Sequence, residues 1–414
     1  MSMNQTPSGD RIHISFFGKR NVGKSSLVNA VTGQNLAVVS DTKGTTTDPV
    51  YKAMELLPLG PVVMIDTPGL DDEGELGELR VQKTKQVLRK TDVAIVVVDC
   101  AQGMTDVETN LIEELRRMQL PYLIVWNKCD LCPEVIQSSL IKLSIDDATS
   151  QCDGGEFENQ IYVSATDKTG IEELKQRIPK MVHQERQSLP LISDLIKPMD
   201  VVVLVIPIDE AAPKGRLILP QQQVIREVLE VGAVSMVVKD TEYEAFLKQL
   251  QDKPRLVVTD SQVFGKISAI TPEDILLTSF SILMARRKGF LRAATEAALQ
   301  LNQIKTGDCI LIAEGCTHHR QCGDIGTVKL PALIKRFTGA EPQFTFCSGT
   351  EFPDDLSAYK LVLHCGGCML NDREIQYRMQ CAMNQQIPFS NYGTAIAHMN
   401  GILERSLYAL DGTY

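Results

Sequence analysis

Between residues 11 and about 180, short unbroken apolar runs alternate with stretches of helical period. The runs are IHISFF (12–17), VVMID (62–66), VAIVVVD (93–99), YLIVWN (122–127) and IYVS (161–164). They lack the apolar–polar alternation of a half-exposed strand, so they predict strands covered on both faces. KSSLVNAV (24–31) and IEELKQRI (171–178) predict two of the intervening helices, and Gly33 suits a helix stop. The alternation predicts a parallel-sheet α/β domain over residues 9–180.

The segment ERQSLPLISDLIKP (185–198) has mixed polarity and two prolines, and is predicted to be a linker. A second α/β stretch follows over 190–265. Its predicted strands are VVVLVIP (201–207), AVSMVVK (233–239) and RLVVT (255–259), with helices at 221–231 and 241–250. So small a unit cannot cover both faces of an apolar sheet, which predicts pairing with a copy of itself. A third α/β region, 270–414, carries the strand candidates CILIAEG (309–315), QFTFCS (343–348) and KLVLHC (360–365).

Composition narrows the function. Lys and Arg total 42 against 52 Asp and Glu, a net charge of −10. That counts against a general binder of nucleic acid or anionic membrane, although a local basic patch remains open. No apolar run approaches the ~18–20 residues of a membrane span, and the N-terminal MSMNQTPSGDR lacks the features of a signal peptide. A cytoplasmic location is therefore expected. In that reducing compartment the eleven cysteines are not expected to form disulfides.

Chemistry concentrates at strand ends. Gly18-Lys19-Arg20-Asn21-Val22-Gly23-Lys24-Ser25 fits G-x-x-x-x-G-K-S/T between a strand and a helix. Its glycines, with Val22, let backbone N–H groups wrap phosphates at a helix N-terminus. Lys24 would charge-pair with the β- and γ-phosphates, Ser25 would ligate Mg²⁺, and Ser26 would reach the α-phosphate. Asp66-Thr67-Pro68-Gly69 follows a buried strand, placing Asp66 one layer out from Mg²⁺ and the Gly69 N–H toward the γ-phosphate. Asn127-Lys128-Cys129-Asp130 offers a carboxylate to the two donors of guanine, a pair that adenine lacks. Ser164 and Ala165, at a later strand end, would present a backbone N–H to the guanine carbonyl.

With these signatures in this order, residues 11–180 resemble the small GTPase superfamily. Gly44-Thr45-Thr46-Thr47-Asp48 resembles the switch segment of the bacterial TrmE/Era-like GTPases allied to tRNA modification and ribosome assembly. The resemblance implies that Thr46 closes on Mg²⁺, so Lys24, Thr46 and Gly69 are the expected catalytic residues. Leu70 stands where a Gln would orient the attacking water. Asn21 resembles the K⁺-coordinating residue of cation-activated members; the alternative is that it only braces the loop.

A second constellation lies in the third region. Cys316 and His318 follow one predicted strand, and His364-Cys365-Gly366-Gly367-Cys368 follows another. The ends of neighbouring parallel strands converge, so both groups are expected at one crevice. Three cysteines with one or two histidines suit an Fe–S cluster or zinc. A thioredoxin-like redox pair fits the C-x-x-C context less well. Cys309, Cys347 and Cys381 are expected in the core, with Cys322 a spare ligand.

The Cys316-x-His318 group, 45 intervening residues and His364-Cys365-x-x-Cys368 resemble the cluster motif of the FeFe-hydrogenase maturation GTPases, the HydF family. The stretch from Ile206 to Leu217 resembles that family's dimerisation domain. The resemblance implies a [4Fe–4S] cluster on Cys316, Cys365 and Cys368, with His364 or His318 as fourth ligand and His364 favoured of the two. It further implies a transient di-iron precursor received from radical-SAM maturases and delivered to apo FeFe-hydrogenase by a homodimer or higher oligomer. The competing readings are a ribosome- or RNA-associated GTPase with a zinc-binding C-terminal domain, and a GTP-switched redox regulator. The expected fold class is α/β: a P-loop GTPase domain and two smaller α/β domains with mainly parallel sheets.

Overall fold

The computed structural model describes residues 8–33, 48–70, 83–132, 159–182, 189–208, 217–315, 325–349 and 351–410. The chain divides into two compact units, 1–186 and 187–414.

The first unit is a six-stranded sheet in the order β2-β3-β1-β4-β5-β6. The strands are β1 (Ile12–Phe17), β2 (Val50–Leu56), β3 (Gly60–Asp66), β4 (Val93–Asp99), β5 (Tyr122–Asn127) and β6 (Gln160–Tyr162). All pairs are parallel except β2 with β3. One face packs on α1 (Lys24–Thr32) through Leu27, Val28 and Val31, and on a helix through Ile171, Leu174 and Ile178. The other packs on helical residues 83–89 and on α2 (Asp106–Arg117) through Leu111, Ile112 and Leu115. The helix carrying Ile171 is α3 (Ile171–Val182). Helices on both faces explain why β1, β3 and β4 are apolar without interruption. Edge strand β2 is half-exposed and carries Lys52 and Glu55, so it forms no apolar run.

The second unit holds two four-stranded parallel sheets, β10-β9-β7-β8 and β12-β11-β13-β14. The first comprises β7 (Val201–Val205), β8 (Val234–Val238), β9 (Leu256–Thr259) and β10 (Leu276–Ser279). The second comprises β11 (Cys309–Glu314), β12 (Gln343–Ser348), β13 (Leu361–His364) and β14 (Phe389–Asn391). Their helices are α4 (Leu219–Val231), α5 (Tyr243–Gln249), α6 (Phe264–Ile270), α7 (Phe280–Arg287) and α8 (Leu291–Ala298). After them come α9 (Leu330–Thr338), α10 (Asp372–Asn384), α11 (Tyr392–Met399) and α12 (Leu403–Tyr408).

Strand β10 lies beyond residue 265, where the second region was expected to end. One core joins both sheets, with Val203 and Leu277 from the first and Leu311 and Val362 from the second. The expected linker also enters that core. Leu191 and Ile192 are fully buried, the Glu227 carboxylate accepts N–H bonds from Leu191, Ile192 and Ser193, and buried Arg286 pairs with Asp194. The mixed polarity of this segment reflects anchoring to two charged side chains. Edge strand β8 leaves Val234 and Val237 exposed, an apolar edge of the kind a second sheet can cover. No helix among the described residues is long and apolar enough to cross a membrane.

Candidate functional site

The first site forms at the carboxyl ends of β1, β3, β5 and β6. The chain leaves β1 at Phe17, wraps through Gly18–Gly23 and enters α1 at Lys24. Gly23 has φ 90°, and a Cβ there would lie 2.3 Å from Asn127 Nδ2, so only glycine permits this approach. The buried Lys24 ammonium donates to the Gly18 and Lys19 carbonyls at 2.9 and 2.6 Å, inside the loop that would hold phosphate. Asn21 sits exposed on the loop with φ 60°, and Val22 is buried beneath it.

Ser25 Oγ donates to Asp66 Oδ2 at 2.5 Å, while the buried Asp66 Oδ1 accepts no hydrogen bond among the described residues. Burial raises the Asp66 carboxyl, opposed by Ser25, Lys24 and Lys52. A buried, unused carboxylate oxygen beside a serine hydroxyl suits a hydrated divalent cation, so Ser25 and Asp66 fit Mg²⁺. The sequence reading missed Lys52, which is buried on β2 and donates to Asn29 Oδ1 at 3.3 Å. Its inward direction depends on β2 pairing with β3, which no local pattern shows. Thr67 Oγ1 donates to Phe16 O at 2.6 Å and Leu70 N to Gly18 O at 3.4 Å, which anchors the Gly69 loop beside the phosphate loop. Thr46 lies outside the described residues, and Ser26 lies half-buried on α1.

Asn127 is a strut. Its Nδ2 donates to Val22 O at 2.8 Å and its Oδ1 accepts the Ala165 N–H at 3.2 Å, linking three loops. Lys128 adopts φ 61° and pairs with Asp99 at 2.7 Å. Asp130 is exposed on the next turn, free to face a base. Ser164 is fully buried, and its N–H donates to Thr169 O at 3.0 Å.

The second site forms where β11 and β13 end side by side, with Ala313 opposite His364. Cys365 N donates to Ala313 O at 2.9 Å. Cys365 Sγ accepts N–H bonds from Gly315 at 3.0 Å and Gly367 at 3.4 Å. Burial pushes the Cys365 thiol up, and these two N–H groups pull it down. A sulfur held by two backbone donors suits a metal-bound thiolate. Cys368 is half-buried nearby in sequence. Cys316, His318 and Cys322 lie outside the described residues. Among the described residues, no three His, Cys, Asp or Glu side chains form a metal-holding group.

Two other expectations change, and one buried pair was missed. His364 is fully buried and its ring nitrogens are both engaged, Nδ1 with Cys365 O at 2.7 Å and Nε2 with Arg378 at 3.1 Å. Buried Arg378 and Glu374, an i,i+4 pair on α10 at 2.8 Å, went unnoticed because such pairs usually face solvent. Cys309, Cys347 and Cys381, expected in the core, are only half-buried; the first two lie on β11 and β12. Desolvation still pushes the Cys347 thiol up to about 11.

Comparison with known proteins agrees with this division. Residues 13–128 match the 50S ribosome-binding GTPase family, 191–289 the hydrogen maturase F dimerization domain and 292–409 the hydrogen maturase F tetramerization domain. The tRNA modification GTPase MnmE of Clostridioides difficile is 31% identical over 168 residues, 40% of this chain and 34% of its own length. GTPase Der of Wolinella succinogenes is 31% identical over 191 residues, 45% of this chain and 39% of its own. The chain thus spans little more than a third of the length of these curated relatives. A solved structure of Aquifex aeolicus Era aligns over 58% of this chain and 98% of its own, at 20% identity and a TM-score of 0.35. With an N-terminal GTPase domain related to TrmE- and Era-like proteins ahead of both hydrogen maturase F domains, the chain belongs to the hydrogen maturase F family.

Proposed function

We propose that this protein hydrolyses GTP and serves as an iron–sulfur scaffold that carries a di-iron precursor to apo FeFe-hydrogenase. The observation that carries the scaffold reading is the 3.0 Å bond from Gly315 N to Cys365 Sγ. It sets Gly315, the residue before Cys316, against the first cysteine of the C-x-x-C pair at the carboxyl ends of β11 and β13, which supports one shared site for the two motifs. Cys316, Cys365 and Cys368 would hold a [4Fe–4S] cluster, which when bound supplies an iron centre with one coordination position to spare. Backbone donors from Gly315 and Gly367 would offset thiolate charge there.

In the first unit, Lys24 turns from its two carbonyls to the β- and γ-phosphates. Ser25 and Thr46 hold Mg²⁺, with Asp66 supporting it, and the Gly69 N–H meets the γ-phosphate. Asp130 reads guanine while Asn127 keeps the loops together, and Asn21 contributes to a K⁺ site. GTP turnover would govern exchange of partners, which the family resemblance implies are the hydrogenase and radical-SAM maturases. The dimerization and tetramerization domains support an oligomeric scaffold.

Anaerobic reconstitution of the full-length protein with iron and sulfide tests the reading. About four iron and four labile sulfide per chain are expected from such a cluster, with loss of most of both in Cys316→Ser, Cys365→Ser and Cys368→Ser. Stoichiometric zinc without sulfide would replace the scaffold by the zinc-domain reading.

A further inference from the structure

The second unit contains a cavity of about 240 Å³ whose lining includes no cysteine. Its wall includes Lys266 of α6, Lys329 just before α9 and Arg336 of α9, while Leu330 and Leu333 supply an apolar side. Among the described residues, no carboxylate lines it. In a chain with a net charge of −10, three converging cations are a local reversal of sign.

Two of the three cations have no carboxylate partner among the described residues. Lys266 pairs with the Asp240 carboxylate at 2.9 Å, and Lys329 donates to the neutral amide oxygen of Gln262 at 2.6 Å. Arg336 has no ion pair among the described residues. Beneath them lies Ser261, 7% exposed, whose hydroxyl is buried and has no hydrogen-bond partner among the described residues. An orphaned buried hydroxyl costs about 1–3 kcal/mol unless something satisfies it. A π-helical turn, Ile325–Lys329, delivers Lys329 to the rim; such turns are rare and recur at functional sites.

We infer that this cavity binds a small organic phosphate. The three cations would take the phosphate oxygens, with Arg336 able to engage two at once. The Ser261 hydroxyl would donate from below, and Leu330 and Leu333 would receive the carbon part. The volume lies just under the ~300–1,000 Å³ of larger ligand sites, which limits the ligand to a compact molecule. The inference uses neither the GTP site nor the cysteines, so it stands apart from the scaffold reading.

Calorimetric titration of the full-length protein, pre-saturated with Mg²⁺ and GDP to fill the nucleotide site, tests it with phenyl phosphate, phenol and inorganic phosphate as probes. Phenyl phosphate should bind saturably, at least tenfold tighter than phenol and more tightly than inorganic phosphate. The double variant Lys329→Gln, Arg336→Gln alters exposed side chains and should fold, yet weaken phenyl phosphate at least tenfold. Ser261→Ala should weaken it several-fold. Absence of saturable binding would overturn the inference. So would phenol binding equally well, or a double variant that binds like the parent.

Discussion

Arg378 Nη1 lies 3.1 Å from Nε2 of His364, and because a guanidinium can only donate, that nitrogen must be an acceptor. The proton therefore sits on Nδ1, which donates to Cys365 O at 2.7 Å. Burial first, then the Arg378 charge, hold the imidazole at about 3, far below its usual range. A neutral ring with both nitrogens used has no lone pair to spare for iron.

The fourth-ligand expectation therefore shifts from His364 to His318. His364→Ala should leave the reduced-state electron paramagnetic resonance spectrum of the reconstituted protein unchanged, and His318→Ala should alter it. The opposite pattern would mean that iron binding breaks the Arg378 contact. Arg378→Met should destabilise the second unit by about 3–5 kcal/mol, because Glu374 and His364 stay buried without their partner. Guanidinium unfolding followed by circular dichroism measures that loss.

Gly367 adopts φ 63°, and a Cβ there would lie 2.5 Å from Ile375 Cδ1. Gly367→Ala should therefore shift the loop that bonds Cys365 Sγ, adding about 1–2 kcal/mol of backbone strain. Iron content should fall although every cysteine is kept. Ile375→Ala in the same chain should restore part of it by making room. Iron and sulfide analysis of the three proteins decides; full loading of Gly367→Ala would show that the loop geometry does not matter.

Asp130 is exposed on the turn after β5, where its carboxylate is open to a ligand. Asp130→Asn should weaken GTP by roughly 2–4 kcal/mol and favour xanthosine triphosphate, whose ring offers an acceptor where guanine offers a donor. Competition binding with the two nucleotides reads the preference. If it does not move, Asp130 is not the guanine reader.

Leu70 follows the Gly69 loop and cannot orient water. Basal turnover should be slow, and K⁺ should raise it relative to Na⁺ through Asn21, which is exposed on the phosphate loop. Phosphate release in the two salts, with Asn21→Ala alongside, tests this. Equal rates in both salts, or stimulation that survives the substitution, would leave Asn21 as a loop brace.

The sequence alone determined those parts of the protein whose signal is local. The apolar runs of β1, β3, β4 and β5 are legible because strands covered on both faces need no alternation. The Gly18–Ser25, Asp66–Gly69 and Asn127–Asp130 groups are legible because phosphate and guanine recognition demand particular residues at short spacing. Tertiary structure decided what depends on distant pairing. β2 and β14 are half-exposed or too short to form apolar runs, and β10 completes a sheet from past the expected boundary. Leu191 and Ile192 look like linker until Glu227 and Arg286, far along the chain, fix them to the core. Whether Lys52 turns inward to Asn29 and Asp66, and whether His364 meets Arg378, depends on which side of an element meets which neighbour. Residue type and spacing carry no information about that direction, because it is set only when the sheets pair and the helices pack.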